Sequence, residues 1–280
     1  MPATSRLAPA KINLTLHVTG QRADGYHLLD SLVVFTEAGD RVALDGGGPG
    51  LRLSGPQAAA LDGEGDNLVL RAARLIGAGD AGLALDKRLP VASGMGGGSS
   101  DAAAALHLLA ETRDLSLPDT AALMTLGADL PVCMAAPAPS RMRGLGEQVA
   151  PVGGVPALWL VLVNPGQGLS TPAVFKALSH KQNPPMPVEL PRWPDPAALC
   201  DWLAGQRNDL QAPAQALVPA VGQVLAGLSA QPGCLLARMT GSGATCFGIF
   251  RDQPTATAAE TALARPGWFT AVTRSSASVS

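Results

Sequence analysis

The chain has 280 residues, of which 47% are hydrophobic and 15% charged, with a formal net charge of −2. That length holds one large domain or two modest ones, and the composition excludes a disordered chain; with no basic run or basic-aromatic interleaving, it also argues against a nucleic-acid partner. The longest apolar run, 157–163, is too short to span a bilayer, Met1 to Arg6 lead into no apolar signal region, and Cys133, Cys200, Cys234 and Cys246 lack C-x-x-C spacing, so a cytoplasmic protein with reduced core thiols and no membrane partner is expected.

From Ile12 onward the sequence alternates. Ile12, Leu14, Leu16 and Val18 fall on one face of a half-buried strand, with Lys11 and Asn13 on the other. Asp24-Gly25 marks a turn. Tyr26, the only tyrosine, follows beside His27 on the same loop. A ring beside a hydrogen-bonding side chain can hold a nucleobase by stacking and edge contacts; structural packing explains the pair equally well. Strands are expected over 29–36, 41–44 and 51–53, separated by Gly-rich turns. Asp66-Asn67 then caps a helix running to about residue 76.

After a strand-like Leu83-Ala84-Leu85 comes the most informative stretch, Pro90-Val91-Ala92-Ser93-Gly94-Met95-Gly96-Gly97-Gly98-Ser99-Ser100-Asp101. Gly94, Gly96, Gly97 and Gly98 let the backbone turn its N–H groups toward an anion. Ser99-Ser100-Asp101 and the apolar 102–109 read as a helix whose unpaired N–H groups and positive dipole end face that loop. Loop and helix start together make a phosphate cradle. It is not a P-loop, which needs Gly-Lys-Ser/Thr, nor does it have G-x-G-x-x-G spacing.

A helix opens at Leu117-Pro118-Asp119 and ends near Gly127. Asp129, in Gly127-Ala128-Asp129-Leu130-Pro131-Val132, reads by itself as a turn or cap residue. A linker is expected over 149–156. Beyond it come strand 157–163, helix 171–178, a Pro-rich loop over 183–196, and helices 196–204 and 210–228. Strand 234–239, the turn Thr240-Gly241-Ser242-Gly243-Ala244, strand 245–250, helix 255–264 and strand 269–273 complete a split βαβ order. Lys176 and His180 read as surface residues.

Pro90-x-x-x-Gly-Met-Gly-Gly-Gly-Ser-Ser-Asp-Ala-Ala-Ala resembles the ATP-binding loop of the GHMP kinases, the superfamily of galactokinase, homoserine kinase and mevalonate kinase. Pro9-Ala10-Lys11-Ile12-Asn13-Leu14 and Thr240-Gly241-Ser242-Gly243-Ala244-Thr245-Cys246-Phe247 resemble that superfamily's first and third motifs. Arg22-x-Asp24-Gly25-Tyr26-His27 and Thr171-Pro172-x-x-Phe175 look like signatures of its 4-diphosphocytidyl-2-C-methyl-D-erythritol kinase branch. Two departures are local: Cys133 stands where an aromatic is usual, and 135–143 is unusually rich in Pro, Ala and Arg.

The resemblance implies an α+β fold. An N-terminal α/β domain like the second domain of ribosomal protein S5 (1–152) would carry ATP and the reacting groups. A C-terminal ferredoxin-like domain (153–280) would contribute to the substrate site. It implies transfer of the γ-phosphoryl of ATP to a tertiary alcohol, with Mg²⁺ accompanying the nucleotide and no dedicated metal ligand in the chain. Lys11 and Asp129 would be catalytic. Pro90 through Ser100 would hold the triphosphate, and Asn67 would lie near the adenine. The substrate, a small molecule carrying a cytidine diphosphate group, would meet Asn13, Tyr26, His27, Thr171, Phe175, Gly241 and Ser242. The cytosine would be stacked between Tyr26 and Phe175, with His27 as its hydrogen-bond partner. Asn208-Asp209-Leu210 matches a family element without a role. Alternatives are another small-molecule GHMP kinase, of homoserine or mevalonate type, or a non-catalytic nucleotide-binding regulator on the same fold.

Overall fold

The computed structural model describes residues 4–63 and 65–278, so the first three residues of the Met1 to Arg6 opening lie outside it. Its first half is assembled on an 18-residue strand, β3 (His27–Leu44). One edge of β3 pairs antiparallel with β2 (His17–Gln21) and then β1 (Ser5–Asn13). The other edge pairs with β6 (Ser140–Gly144) and then β5 (Gly82–Asp86). β4 (Gly50–Ser54) runs parallel to β5, and β7 (Gln148–Pro151) pairs with β6, completing a seven-stranded sheet.

Two expected strands, 29–36 and 41–44, are thus one. The intervening Glu37-Ala38-Gly39-Asp40 does not turn, because Gly39 lies opposite a bulge in β1 between Pro9 and Lys11. A Cβ on Gly39 would stand 2.3 Å from the Ala8 carbonyl oxygen. The glycine therefore permits close backbone approach rather than a reversal. Conversely, the strand expected over 12–18 is broken. Leu16 donates its N–H to the Arg207 carbonyl at 2.8 Å and accepts from Asp209 at 2.8 Å, which ties the gap between β1 and β2 to the second half.

Helix α1 (Leu68–Leu75) begins after Asn67, whose side chain accepts from the Val69 N–H at 2.9 Å, as an N-cap does. Helix α2 (Gly97–Arg113) is alanine-rich and buried from Ser100 to Leu109 except at His107, lying between the sheet and its neighbours α1 and α4. α3 (Thr120–Leu126) is capped by Asp119 and followed by the short α4 (Leu130–Met134). Leu32 and Val34 of β3 face one core while Val33 and Phe35 face another, so this run is apolar on both sides.

The second half is a four-stranded antiparallel sheet of order β11-β8-β10-β9, formed by β8 (Trp159–Asn164), β9 (Cys234–Met239), β10 (Cys246–Phe250) and β11 (Phe269–Arg274). The order 4-1-3-2 is that of a split βαβ fold. Its helices are α5 (Thr171–Ala177), α6 (Pro196–Ala204), α7 (Gln211–Leu217), α8 (Ala220–Ser229) and α9 (Gln253–Leu263). The single helix expected over 210–228 is two. Pro219 has no N–H and disfavours helical geometry at the residue before it; Val218 accordingly sits at φ −132°, ψ 89°. The expected linker over 149–156 is in part β7. Leu160, Leu162, Phe247 and Ile249 of the second sheet share one core with Ala10, Ile12 and Leu14, so the halves are packed together. Among the described residues, no helix is long and apolar enough to cross a membrane.

The atypical 135–143 stretch supplies β6. Arg141 grips Asp30 of β3 in two parallel bonds of 2.8 and 2.7 Å. It also donates to the carbonyls of Met186, Pro187 and Val188, stapling the Pro-rich loop to the sheet. Cys133 is buried, and burial together with the nearby Asp129 carboxylate pushes its thiol up to about 12, so it packs as a neutral side chain.

Candidate active site

The glycine-rich loop over 90–98 lies across β1. The Lys11 N–H donates to the Met95 carbonyl at 2.9 Å. Gly94 and Gly96 have φ of +79° and +63°, a region that L side chains rarely enter. At Gly96 there is a second reason for glycine: a Cβ there would come within 3.2–3.4 Å of three carbons of the Lys11 stem. At Gly94 a Cβ would strike the Thr240 carbonyl oxygen at 2.5 Å, and at Gly241 it would strike the Gly94 carbonyl oxygen at 2.4 Å. The turn at 240–243 therefore rests backbone to backbone on the loop. Asn208 holds that turn, donating to the Met239 and Gly241 carbonyls at 2.8 and 2.9 Å. This explains the Asn208-Asp209-Leu210 element as a brace.

Helix α2 starts two residues before the Ser99-Ser100-Asp101 start read from the sequence. Ser100 bonds back to the Gly96 carbonyl, so the N–H groups of Gly97, Gly98 and Ser99 precede the first intrahelical bond. They border a cavity of about 320 Å³ lined by Lys11, Asn13, Asp129, Thr171, Phe175 and the 240–242 turn. Not every loop residue reaches it. Met95 is a fully buried core residue, Ser100 donates its hydroxyl to the Pro9 carbonyl at 2.6 Å, and Pro90, Val91 and Asn67 are not on this wall.

Lys11 and Asp129 meet there, Nζ to Oδ2 at 2.6 Å, with the lysine side chain 4% and the carboxylate 35% exposed. Asp129 occupies the N-cap place of α4 but makes no capping bond. Its own backbone is helical (φ −84°, ψ −9°) rather than in the extended form that aims a capping side chain at the N2 and N3 N–H groups. The carboxylate is thus left for Lys11 and the cavity. The lysine that would be solvated on an ordinary strand face is buried because the loop covers it.

Asn13 is fully buried. Ser31 gives its one hydroxyl proton to the Thr15 carbonyl at 2.5 Å, so it accepts from Asn13 Nδ2 at 2.8 Å. That fixes the amide, and Asn13 Oδ1 has no partner among the described residues. An orphaned buried acceptor on a cavity wall is a place for a ligand's O–H or N–H.

A second cavity, of about 740 Å³, shares Ser99, Asp129, Thr171 and Phe175 with the first and extends to Tyr26 and His27. Phe175 stacks on His27, with centroids 4.6 Å apart and planes at 21°, while Tyr26 stands 65% exposed at the hairpin tip. Burial, then the Lys181 ammonium, hold His27 below the usual histidine value, so the imidazole is neutral at pH 7. Its Nε2 is buried without a partner among the described residues. Thr171 and Ser242 hydroxyls bond to each other at 2.7 Å and close the wall between α5 and the turn.

Behind the loop lies a charge cluster that sequence reading missed. Lys87 is buried between Asp40 and Asp101, 2.8 Å from Asp101 Oδ2. Asp40 also accepts from the N–H groups of Arg88 and Leu89 at 2.6 and 2.8 Å. Burial alone would lower the Lys87 ammonium, but the two carboxylates raise it; burial and Asp40 push Asp101 up against the pull of Lys87. The cluster ties the strand before the loop to the first turns of α2. The signal was present: Asp101 is a lone charge entering an apolar helix, and lysine is scarce.

Residues 67–142 match the GHMP kinases N terminal domain and residues 189–267 the GHMP kinases C terminal domain. A 4-diphosphocytidyl-2-C-methyl-D-erythritol kinase from Cereibacter sphaeroides (strain ATCC 17029 / ATH 2.4.9) is 57% identical, over 97% of this chain and 99% of its own. One from Paracoccus denitrificans (strain Pd 1222) is 56% identical over 94% of each. A crystal structure of 4-(cytidine 5'-diphospho)-2C-methyl-D-erythritol kinase superposes with a TM-score of 0.75 at 31% identity, covering 97% of this chain and 99% of that one. Homoserine kinase from Cytophaga hutchinsonii, at 18% identity and a TM-score of 0.57, shares the fold.

Proposed function

The chain belongs to the GHMP kinases, in their 4-diphosphocytidyl-2-C-methyl-D-erythritol kinase branch, and from this we propose how its residues move the γ-phosphoryl of ATP to the 2-hydroxyl of that alcohol. The reaction is a step of non-mevalonate isoprenoid precursor synthesis. The observation that carries the proposal is the Lys11–Asp129 pair, 2.6 Å apart and facing the N-terminus of α2 across one cavity.

Phosphoryl transfer asks a protein for positioning and charge stabilisation more than for covalent chemistry. The N–H groups of Gly97, Gly98 and Ser99, at the positive end of a 17-residue helix, would receive the triphosphate. Asp129 would take or orient the proton of the attacking hydroxyl, a contribution of about 10²–10⁴-fold in such reactions. Lys11 would fix that carboxylate and place its ammonium where charge grows on the transferring group. Asn13 Oδ1, held outward by Ser31, would accept from the substrate. Neutral His27, with Phe175 on its ring, would meet the cytosine, and Tyr26 would close over it from the hairpin tip.

Among the described residues, no group of three or more His, Cys, Asp or Glu side chains forms a metal cage. A magnesium ion supplied with ATP would be held largely by phosphate oxygens and would neutralise their charge. Residues 1–152 would carry nucleotide and reacting groups and 153–280 would complete the substrate site. We place the enzyme in the cytoplasm, where ATP is available and unpaired Cys133, Cys200, Cys234 and Cys246 stay reduced.

The test is ADP release by the purified chain with ATP and 4-diphosphocytidyl-2-C-methyl-D-erythritol, beside Asp129→Asn. Turnover should fall by about 10²–10⁴-fold in a folded variant. Full activity of that variant removes Asp129 from the mechanism. A wild-type chain that phosphorylates homoserine or mevalonate instead overturns the substrate, and one that binds ATP but transfers nothing is a regulator.

A further inference from the structure

Only four lysines occur in the chain: Lys11, Lys87, Lys176 and Lys181. Two are spent in buried ion pairs at the site. The other two, Lys176, which reads as a surface residue from the sequence, and Lys181, both line the outer cavity that runs from His27 to Asp129. That wall also carries two carboxylates, Asp24 and Asp129, and each already has a cation: Arg22 at 2.8 Å and Lys11 at 2.6 Å. Lys176 and Lys181 have no carboxylate partner among the described residues; Lys181 donates only to the neutral Gln21 side chain, at 3.2 Å. The wall therefore presents two uncompensated positive charges.

We propose that Lys176 and Lys181 form the subsite for the diphosphate of the acceptor substrate, distinct from the α2 N-terminus that receives ATP. This rests on the cytidine diphosphate substrate proposed above. A molecule whose base meets His27 and Phe175 and whose hydroxyl meets Asp129 must pass its diphosphate between those ends. A diphosphate esterified at both ends carries two negative charges at neutral pH, matching the two lysines. The helix N-terminus faces the inner cavity with the reacting pair; the two lysines face the outer one only. The lysines thus select a charged acceptor over the small alcohols that the same fold phosphorylates elsewhere.

The experiment titrates cytidine 5′-diphosphate and cytidine into the full chain by calorimetry, with a non-hydrolysable ATP analogue saturating the donor site. Wild type should bind the diphosphate tighter than the nucleoside. K176Q and K181Q should each weaken the diphosphate by about tenfold, the scale of one charge-assisted hydrogen bond, and leave cytidine unchanged. Their KM for the acceptor should rise while KM for ATP holds. Added salt should erase the wild-type preference. Equal wild-type affinity for both probes, or a double variant that keeps the preference, overturns the lysine subsite alone. Variants that lose cytidine as much as the diphosphate show a structural role and overturn it too. Binding of neither probe by wild type overturns the cytidine reading, and this subsite with it.

Discussion

Two adjacent glycine replacements should push stability and activity in opposite directions. Gly98 is the second residue of α2, and a Cβ built there meets nothing within 4 Å. Gly98→Ala replaces the residue worst suited to a helix, apart from proline, with the best. The gain is about 0.5–1 kcal/mol, or a Tm rise of about 2–4 °C per kcal/mol for a chain of this size. The open space is open because it is cavity, so the added methyl stands where a phosphate oxygen would approach the first-turn N–H groups. KM for ATP should therefore rise at least about tenfold, the loss of one charge-assisted hydrogen bond. Gly96→Ala differs. Its φ of +63° costs an L-residue about 1–2 kcal/mol. The new Cβ also sits 3.2 Å from Lys11 Cε and 3.3 Å from Lys11 Cβ. Lys11 is held at its N–H by Met95 and at its ammonium by Asp129, so the displacement reaches the reacting pair. Tm should fall by about 2–8 °C and kcat by about tenfold or more. Differential scanning fluorimetry and an ADP-release assay at varied ATP read both effects. If Gly98→Ala keeps the wild-type KM for ATP, the placement of the phosphates on α2 is wrong; if the two variants shift Tm the same way, the backbone account of the two glycines is wrong.

Lys87→Met leaves Asp40 and Asp101 buried together without their cation, and loss of one partner from such a cluster costs about 3–5 kcal/mol; urea unfolding at pH 7 should show that loss. Arg141→Leu strands Asp30 and frees the 186–188 loop; a loss of similar size, with new proteolytic cleavage near the loop, is expected by limited proteolysis and denaturation. Stability should also fall as pH drops below about 6.5. Burial, then Arg207, hold His17 below its ordinary value, so the unfolded chain takes up a proton that the folded chain refuses; the contribution is intact above 6.5 and is lost on acidification. Urea midpoints at pH 7.5 and 5.5 should differ less for His17→Gln than for wild type.

Much of the site was legible in the sequence because its parts obey local rules. Four glycines ahead of an alanine-rich run specify a loop that turns its amides and then a helix. Asp66-Asn67 and Leu117-Pro118-Asp119 announce caps, and the second half's strand and helix order already spells the split βαβ sheet. Legibility ended where the partner of a residue lies far along the chain. Gly39 looks like a turn and is a point of backbone crowding. The 149–156 linker looks irregular and is partly a paired strand. Lys87, unremarkable after a strand, is neutralised by Asp40 and Asp101 from two other elements. The stacking of His27 on Phe175 was not legible either, since which residue of a hairpin tip turns inward depends on what α5 brings against it.

By itself the sequence determined the glycine loop with its helix start and most of the order of elements, since backbone freedom, capping and hydrophobic periodicity act within a few residues. Only the tertiary structure decided which charges meet. Asp129 is a catalytic candidate rather than a cap because its backbone is helical rather than extended and makes no capping bond, and Lys11, 118 positions earlier, is pressed beneath the loop 2.6 Å away. Burial of charge makes such pairing energetically obligatory, but the choice of partner belongs to the packing of β1, α2 and α4 around one cavity.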